Sequence, residues 1–289
     1  MIAPCTREKK KMPTKIKKLR PPVKIHGGKY YLSNWIIEHF PKGYEKYEYI
    51  EPFCGGGSVF LNKNPSEKDE IINDIDLGMI QIWRALRDEP GNFIGRIKRT
   101  KYCERVFTRE MKKSPPFKDY IEHAMYDFIL RRMSRGGLKQ AFAWSNRTRG
   151  GQPGDVNAWE TMKEYLPLIS ERASECYILN RPAIDVINAF NTPETFCYCD
   201  PPYLQETRES KNAYEFEMST DDHVELAEKL LQFKGFVAVS GYPSSLYNRL
   251  FKNWRCSRKR IANHASQTAA KKKKTECLWM NYSANGKRL

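Results

Sequence analysis

The sharpest chemistry in the sequence is Asp200-Pro201-Pro202-Tyr203, which ends an apolar run from Thr195 to Cys199. Two consecutive prolines fix the backbone and remove two amide donors, so the carbonyls around them stay free to accept. The Asp200 carboxylate and the Pro201 carbonyl can together take both hydrogens of one exocyclic amine. Tyr203 adds an aromatic face on which a purine can stack, worth roughly 1–3 kcal/mol. The set suits an amine-bearing base extruded from a duplex. An aryl amine is a poor nucleophile because its lone pair is delocalised into the ring. Acceptors on its hydrogens localise that pair, and the rigid turn aims it.

A second constellation is Gly55-Gly56-Gly57 with Asp74. Glycines between a strand and the element after it allow a tight turn and close approach of a ligand to the backbone. Asp74 ends the next strand at the spacing of a carboxylate that grips a ribose hydroxyl pair. These residues admit a dinucleotide or S-adenosylmethionine. The Gly-x-Gly-x-x-Gly spacing is absent, which disfavours NAD and FAD, and no Gly-x-x-x-x-Gly-Lys-Ser/Thr occurs.

Elements must bring the two constellations together. Tyr30 to Phe40 has helical spacing, with Leu32, Trp35, Ile36 and Phe40 on one face, and Pro41 ends it. Tyr47–Ile50 and Glu70–Asp74 read as strands, with a short helix from Ser58 between them. Leu77, Ile80, Trp83 and Leu86 repeat as a helix. Another helix is expected over Ile121–Met133. Thr195–Cys199 and Gly235–Ser240 read as buried strands, Cys277–Tyr282 closes the sheet, and Ser219 with Asp222 forms a capping box for a helix through Leu231. Alternating strands and helices imply a mostly parallel α/β sheet, whose ligands bind beyond the carboxyl ends of the strands. Both constellations fall at such ends. Residues 90–180 have little strand character and read as an inserted, mostly helical domain. The catalytic domain is then 21–89 with 181–289, after a basic tail over 1–20.

Charge points to a polyanion. The chain carries 50 Lys and Arg against 34 Asp and Glu, a net +16, and a surplus of that kind favours phosphate partners. Between Arg96 and Arg149 there are 15 basic and 5 acidic residues, so the surplus concentrates in the insertion. No apolar run reaches the roughly 18–20 residues of a membrane span. The eight cysteines make no Cys-x-x-Cys pair and no zinc spacing, so they read as small buried hydrophobes in a reducing compartment, with no metal.

These motifs, in this order, resemble the Dam-type (α-group) family of DNA adenine-N6 methyltransferases over about residues 23–282. Lys24-Ile25-His26-Gly27-Gly28-Lys29 resembles the family's opening motif, Lys-Trp-Ala-Gly-Gly-Lys. Tyr49 to Phe60 resembles its cofactor loop, Asp74 its ribose acid, Asp200–Tyr203 its catalytic motif, and Thr275–Tyr282 its closing strand. The resemblance implies a Rossmann-like S-adenosylmethionine-dependent sheet with the insertion as target-recognition domain. It implies a methyl group passed to N6 of a flipped adenine in double-stranded DNA. Asp200, Pro201, Pro202 and Tyr203 are then catalytic. Ile25, Gly28, Lys29, Glu51, Phe53, Gly55, Gly57, Ser58, Asp74 and Asp200 border the cofactor, Lys29 at the methionine carboxylate and Asp200 near the amino group. Ile25 and His26 depart from the family's Trp and Ala, and Phe142 to Arg149 does not reproduce its GATC-reading segment.

DNA contacts are expected from Arg131, Arg132, Arg135 and Lys139 to phosphate. Arg147 and Arg149 are expected at a hairpin tip that reads a base or holds phosphate, and Lys272 in a basic loop. Methylation of RNA adenine or of cytosine N4, and a noncatalytic DNA-binding descendant, are the alternatives. A monomer or weak dimer, cytoplasmic in a bacterium or phage-encoded within one, completes the expectation.

Overall fold

The computed structural model describes residues 18–149, 151–208, 215–262 and 273–289, with only the backbone of 149, 262 and 273. In chain order the strands are β1 (Glu48–Glu51), β2 (Glu70–Asn73), β3 (Thr148–Arg149), β4 (Gln152–Pro153), β5 (Tyr177–Leu179), β6 (Thr195–Cys199), β7 (Phe236–Gly241), β8 (Arg255–Ala262) and β9 (Lys273–Met280). Seven form one sheet in the order β5-β2-β1-β6-β7-β9-β8. The five from β5 to β7 run parallel, and β9 lies antiparallel between β7 and β8.

The helices are α1 (Ser33–Ile37), α2 (Leu77–Asp88), α3 (Pro90–Arg99), α4 (Glu104–Met111), α5 (Tyr120–Met133), α6 (Gly154–Ala173), α7 (Ala183–Ala189), α8 (Thr220–Leu231) and α9 (Ser245–Leu250). They cover both faces of the sheet, which is why β2 and β6 are buried at every position rather than at alternate ones. One cluster joins Tyr49, Ile72 and Tyr198 to Trp83, Phe128 and Trp159 on the helices α2, α5 and α6. The other joins Cys197, Val237 and Trp279 to Leu226 and Leu230 of α8 and Tyr247 of α9. Helices α3 to α6 therefore share a core with the sheet.

Three expectations change. The helix expected over Tyr30–Phe40 is only α1, because Leu32 at its start has no side-chain cap and Pro41 stops it. The segment after Ser58 makes two helix-type bonds, Leu61 N–H to Gly57 O and Lys63 N–H to Val59 O. It goes no further, and Asn62 turns its amide onto Ser58 O and Leu19 O. β5 lies at Tyr177–Leu179 beside β2, so the chain rejoins the sheet before the boundary expected at 181. β8 was not anticipated. The capping box is present as read, with Ser219 Oγ accepting from Asp222 N–H at 3.1 Å.

Candidate active site

Strand order reverses between β1 and β6: the chain proceeds outward from β1 to β2 and β5, then from β6 to β7. A crevice opens at the carboxyl ends on either side of such a reversal. The glycine loop leaves β1 there and Asp200 leaves β6. Both line one cavity of about 740 Å³, a size that encloses a nucleoside-sized ligand with room beyond it.

Backbone geometry builds the loop. Gly55 and Gly57 have φ of +49° and +66°, which side chains rarely adopt. A Cβ on Gly57 would stand 2.5 Å from Trp83 Cζ2, while Trp83 Nε1 donates to Gly55 O at 2.9 Å. Gly57 thus packs on Trp83 instead of bordering the cavity, a correction to its expected place, and Gly56 lines the wall in its stead. Asp74 fastens the same loop, accepting from Gly55 N–H at 2.7 Å and Asp76 N–H at 2.9 Å. Each carboxylate oxygen keeps further acceptor capacity for a ligand. Burial pushes the Asp74 carboxyl up to about 6. Asn73 donates to Pro52 O and Arg181 O and accepts from Arg181 N–H, which stitches the ends of β1, β2 and β5 into one rim.

Ile25, Gly28, Glu51, Phe53 and Ser58 line the cavity. Ile25 lies over the glycines: a Cβ on Gly55 would come to 3.0 Å of its Cδ1. Glu51 is buried, receives the Tyr49 hydroxyl at 2.7 Å, and is pushed by burial up to about 8. His26 also lines the cavity, its pKa lowered first by burial.

Lys29 is 5% exposed and pairs with Asp200 Oδ1 at 2.9 Å, donating as well to Gly27 O at 2.7 Å. Burial raises the Asp200 carboxyl, and Lys29 and Tyr203 pull against that rise. Pro201 and Pro202 line the cavity beside Asp200. Tyr203 does not: it is buried, its ring lies under Lys29 Nζ at 4.6 Å and edge-on to Tyr242 at 4.7 Å, and its hydroxyl donates to Glu276. The open stacking plate expected at Tyr203 is therefore not presented.

The expected phosphate contacts divide. Arg131 and Arg132 are corrections, because both are buried. Arg131 pairs with Asp76 and, at 2.5 Å, with Asp127, and Arg132 donates to Ala158 O at 2.7 Å. Lys139 is committed to Asp127 at 3.2 Å and Glu215 at 2.6 Å and lines the cavity. Arg135 and Arg147 are exposed. Arg147 leads into the β3–β4 hairpin, where Arg149 pairs with Gln152. Lys272 and residues 1–17 lie outside the described residues. Of the cysteines, Cys197 and Cys199 do lie on one face, their sulfurs 3.4 Å apart and buried. No group of three or more potential metal-holding side chains occurs among the described residues. No helix among them is long and apolar enough to cross a membrane.

Sequence reasoning passed over Asp76, Glu276 and the far wall of the cavity at Pro182–Ile184, Phe216 and Met218. The wall residues carry no motif. Asp127 and Arg131 did leave a signal, an acid and a base four apart on one helix face.

Residues 26–269 match the family described as D12 class N6 adenine-specific DNA methyltransferase. The DNA adenine methylase of Vibrio cholerae is 26% identical over 252 residues, 82% of this chain and 86% of that one. The DNA adenine methylase of Escherichia coli strain K12 is 24% identical over 92% of this chain and 96% of its own. The type II methyltransferase M.MjaIII of Methanocaldococcus jannaschii is 24% identical over 91% and 99%. Among solved structures, the rRNA methyltransferase aviRa of Streptomyces viridochromogenes aligns at a TM-score of 0.39 and 14% identity, covering 91% of this chain and 90% of that one. With the family match spanning most of its length and both motifs meeting in one cavity, the chain belongs to the D12 class of N6 adenine-specific DNA methyltransferases.

Proposed function

We propose that the enzyme draws its methyl group from S-adenosylmethionine and delivers it to an adenine turned out of double-stranded DNA. One observation carries the reading: the glycine loop with Asp74 and the Asp200-Pro201-Pro202 turn open into the same cavity. The donor set suits the cofactor. Asp74 offers acceptors for a ribose diol, Lys29 an ammonium for the methionine carboxylate, and Asp200 an acceptor for the amino group. Glu51, Phe53, Ser58, Gly28 and Ile25 complete the enclosure. When bound, the cofactor supplies an electrophilic methyl group on sulfonium sulfur.

The chain's own residues prepare the nucleophile. Asp200 and the Pro201 carbonyl accept the two N6 hydrogens and turn the nitrogen lone pair toward the methyl carbon. Pro201 and Pro202 hold the turn rigid and leave it without N–H donors of its own, so what it presents is acceptors. Lys29 favours the ionised form of Asp200 against burial, which keeps it an acceptor. Dipoles fixed in place by the fold need no reorganisation as charge develops, which gives them their strength. Arg147 and Arg149 on the hairpin, with Arg135, are the candidates for contact with duplex DNA.

The test is labelled methyl transfer into mixed-sequence duplex DNA, read by nucleoside mass spectrometry, with Asp200→Ala as control. N6-methyladenine that vanishes in the control is the expected result. Cofactor binding without transfer to duplex, but with transfer to RNA, would overturn the substrate reading. No binding of S-adenosylmethionine would overturn the cofactor.

A further inference from the structure

We infer that the open edge of the sheet, strand β8, is a second DNA-binding surface, which holds the phosphates of the duplex to one side of the adenine that is methylated. Arg258, Lys259 and Arg260 carry it. The inference rests on the duplex-DNA reading above and deepens it, because the cavity and the insertion account for only one flank of the target.

Strand register sets these three side chains at the level of the catalytic turn. Cys199 of β6 lies opposite Val239 of β7, Gly241 opposite Cys277 of β9, and Cys277 opposite Arg258 of β8. Arg258 is therefore two residues beyond the level of Cys199, where the chain leaving β6 has reached Pro201. β9 is antiparallel to both its neighbours, so β8 runs the same way as β6. Lys259 and Arg260 then stand farther out at the carboxyl end, where the cavity lies. Three strand spacings separate β8 from β6, about 14 Å at roughly 4.8 Å each. Along a duplex that rises about 3.4 Å per base pair, that distance is about four base pairs.

The insertion is strung between β2 and β5, on the opposite half of the sheet. A duplex laid across the carboxyl ends with its target over β1 and β6 meets the insertion, with Arg135 and Arg147, on one side. On the other side it meets β8.

The charge of β8 suits phosphate. Its eight residues, Arg255–Ala262, include no acid. Arg258, Lys259 and Arg260 are exposed and enter no ion pair among the described residues. Glu276, the register partner of Lys259, is 1% exposed and takes the Tyr203 hydroxyl, so it is turned inward. Cations also continue from the edge toward the catalytic motif. Lys259 Nζ lies 5.8 Å from the centre of the Trp35 ring, and Lys274 Nζ lies 5.1 Å from that of Tyr242, which abuts Tyr203. Charges that only guard an open edge against pairing have no reason to gather at one end of it. Here the exposed cations all lie in the half of β8 nearest the cavity.

Binding of labelled duplexes that carry the adenine methylated by the wild type, with the demethylated cofactor present, tests this. Arg258→Gln, Lys259→Gln and Arg260→Gln combined should lower the salt slope of binding by roughly two to three and weaken binding roughly tenfold at physiological salt. Cofactor affinity should match the wild type. Trimming one flank to fewer than about four base pairs from the adenine should weaken the wild type by a like amount and leave the triple variant unmoved. Trimming the other flank should weaken both proteins equally. Arg260→Gln alone should take about one from the slope, and it decides the matter if the triple variant does not fold. A wild-type slope in the variants, or a triple variant that still responds to the trimmed flank, would overturn the inference and leave the cations as guards of the edge. A wild type that forms no N6-methyladenine in duplex DNA overturns the functional reading itself. An active wild type whose affinity ignores these substitutions overturns this inference alone.

Discussion

The sheet end and the insertion use charge in opposite ways. At the sheet end Glu51, Asp74 and Asp200 are acids lining a cavity, Glu276 is a buried acid behind Tyr203, and burial raises the pKa of each. In the insertion, Arg131 and Arg132 are spent inside the fold on Asp76, Asp127 and a carbonyl, and Arg135 and Arg147 are exposed. The basic surplus of residues 96–149 is not uniform in the fold. Burial decides which of its residues are open to solvent. Enclosed charge has its pKa shifted by its surroundings, and exposed charge stays open to a partner in solvent.

Variants on each side break or sharpen that contrast. The largest effect is expected from Asp200→Ala, which should lower single-turnover transfer by roughly 10³-fold; retention of a tenth of the rate would remove the sheet end from the chemistry. Arg131→Met should cost about 3–5 kcal/mol in urea unfolding, as breaking one side of a buried pair does, with the salt slope of DNA affinity unchanged. Undiminished stability with lost DNA binding would erase the distinction between buried and exposed arginines.

The pH dependence of stability separates the two kinds of buried charge. Glu51 and Glu276 are raised to about 8 and 7, so their contribution is full below the unfolded carboxyl value and is lost as pH rises through 7 to 8. Glu70, although burial raises it, is brought down to about 2 by Lys63 and Arg172. Its contribution is present above the unfolded value and is lost as pH falls toward 2. Glu51→Gln should flatten the loss of thermal stability between pH 5 and 8, an effect of at most about 5 kcal/mol; an unaltered slope would mean that Glu51 is ionised throughout.

Gly57→Ala should cost about 1–3 kcal/mol and weaken cofactor binding, since its Cβ meets Trp83 at a positive φ. Arg147→Ala should leave stability within about 0.5 kcal/mol yet lower the salt slope of DNA binding by about one. A slope identical to wild type would place that residue away from the duplex.

What the sequence disclosed follows from how local each signal was. The apolar runs at β1, β2, β6 and β7, the capping box at Ser219 and the glycine turn need only neighbours along the chain. β8 did not show, because Arg255-Cys256-Ser257-Arg258-Lys259-Arg260 is an edge strand whose polar residues read as a basic loop. β5 is three residues long and was absorbed into the insertion. Arg131 was misplaced because Asp76 lies 55 residues away, and Tyr203 because Lys29, Tyr242 and Glu276 come from distant segments. The motif told what Tyr203 is, not what covers it.

The last strand, β9, enters the sheet between β7 and β8 rather than at an edge. During synthesis the chain therefore carries Tyr203 for 73 residues before its partner Glu276 exists. At about 5–20 residues per second that is roughly 4–15 s on the ribosome. A nascent chain in that interval holds Asp200 and the glycine loop but has a gap where β9 belongs. The last strand to emerge is thus one that the sheet holds between two neighbours, and an unfinished copy on the ribosome lacks both that strand and the acid that receives the Tyr203 hydroxyl.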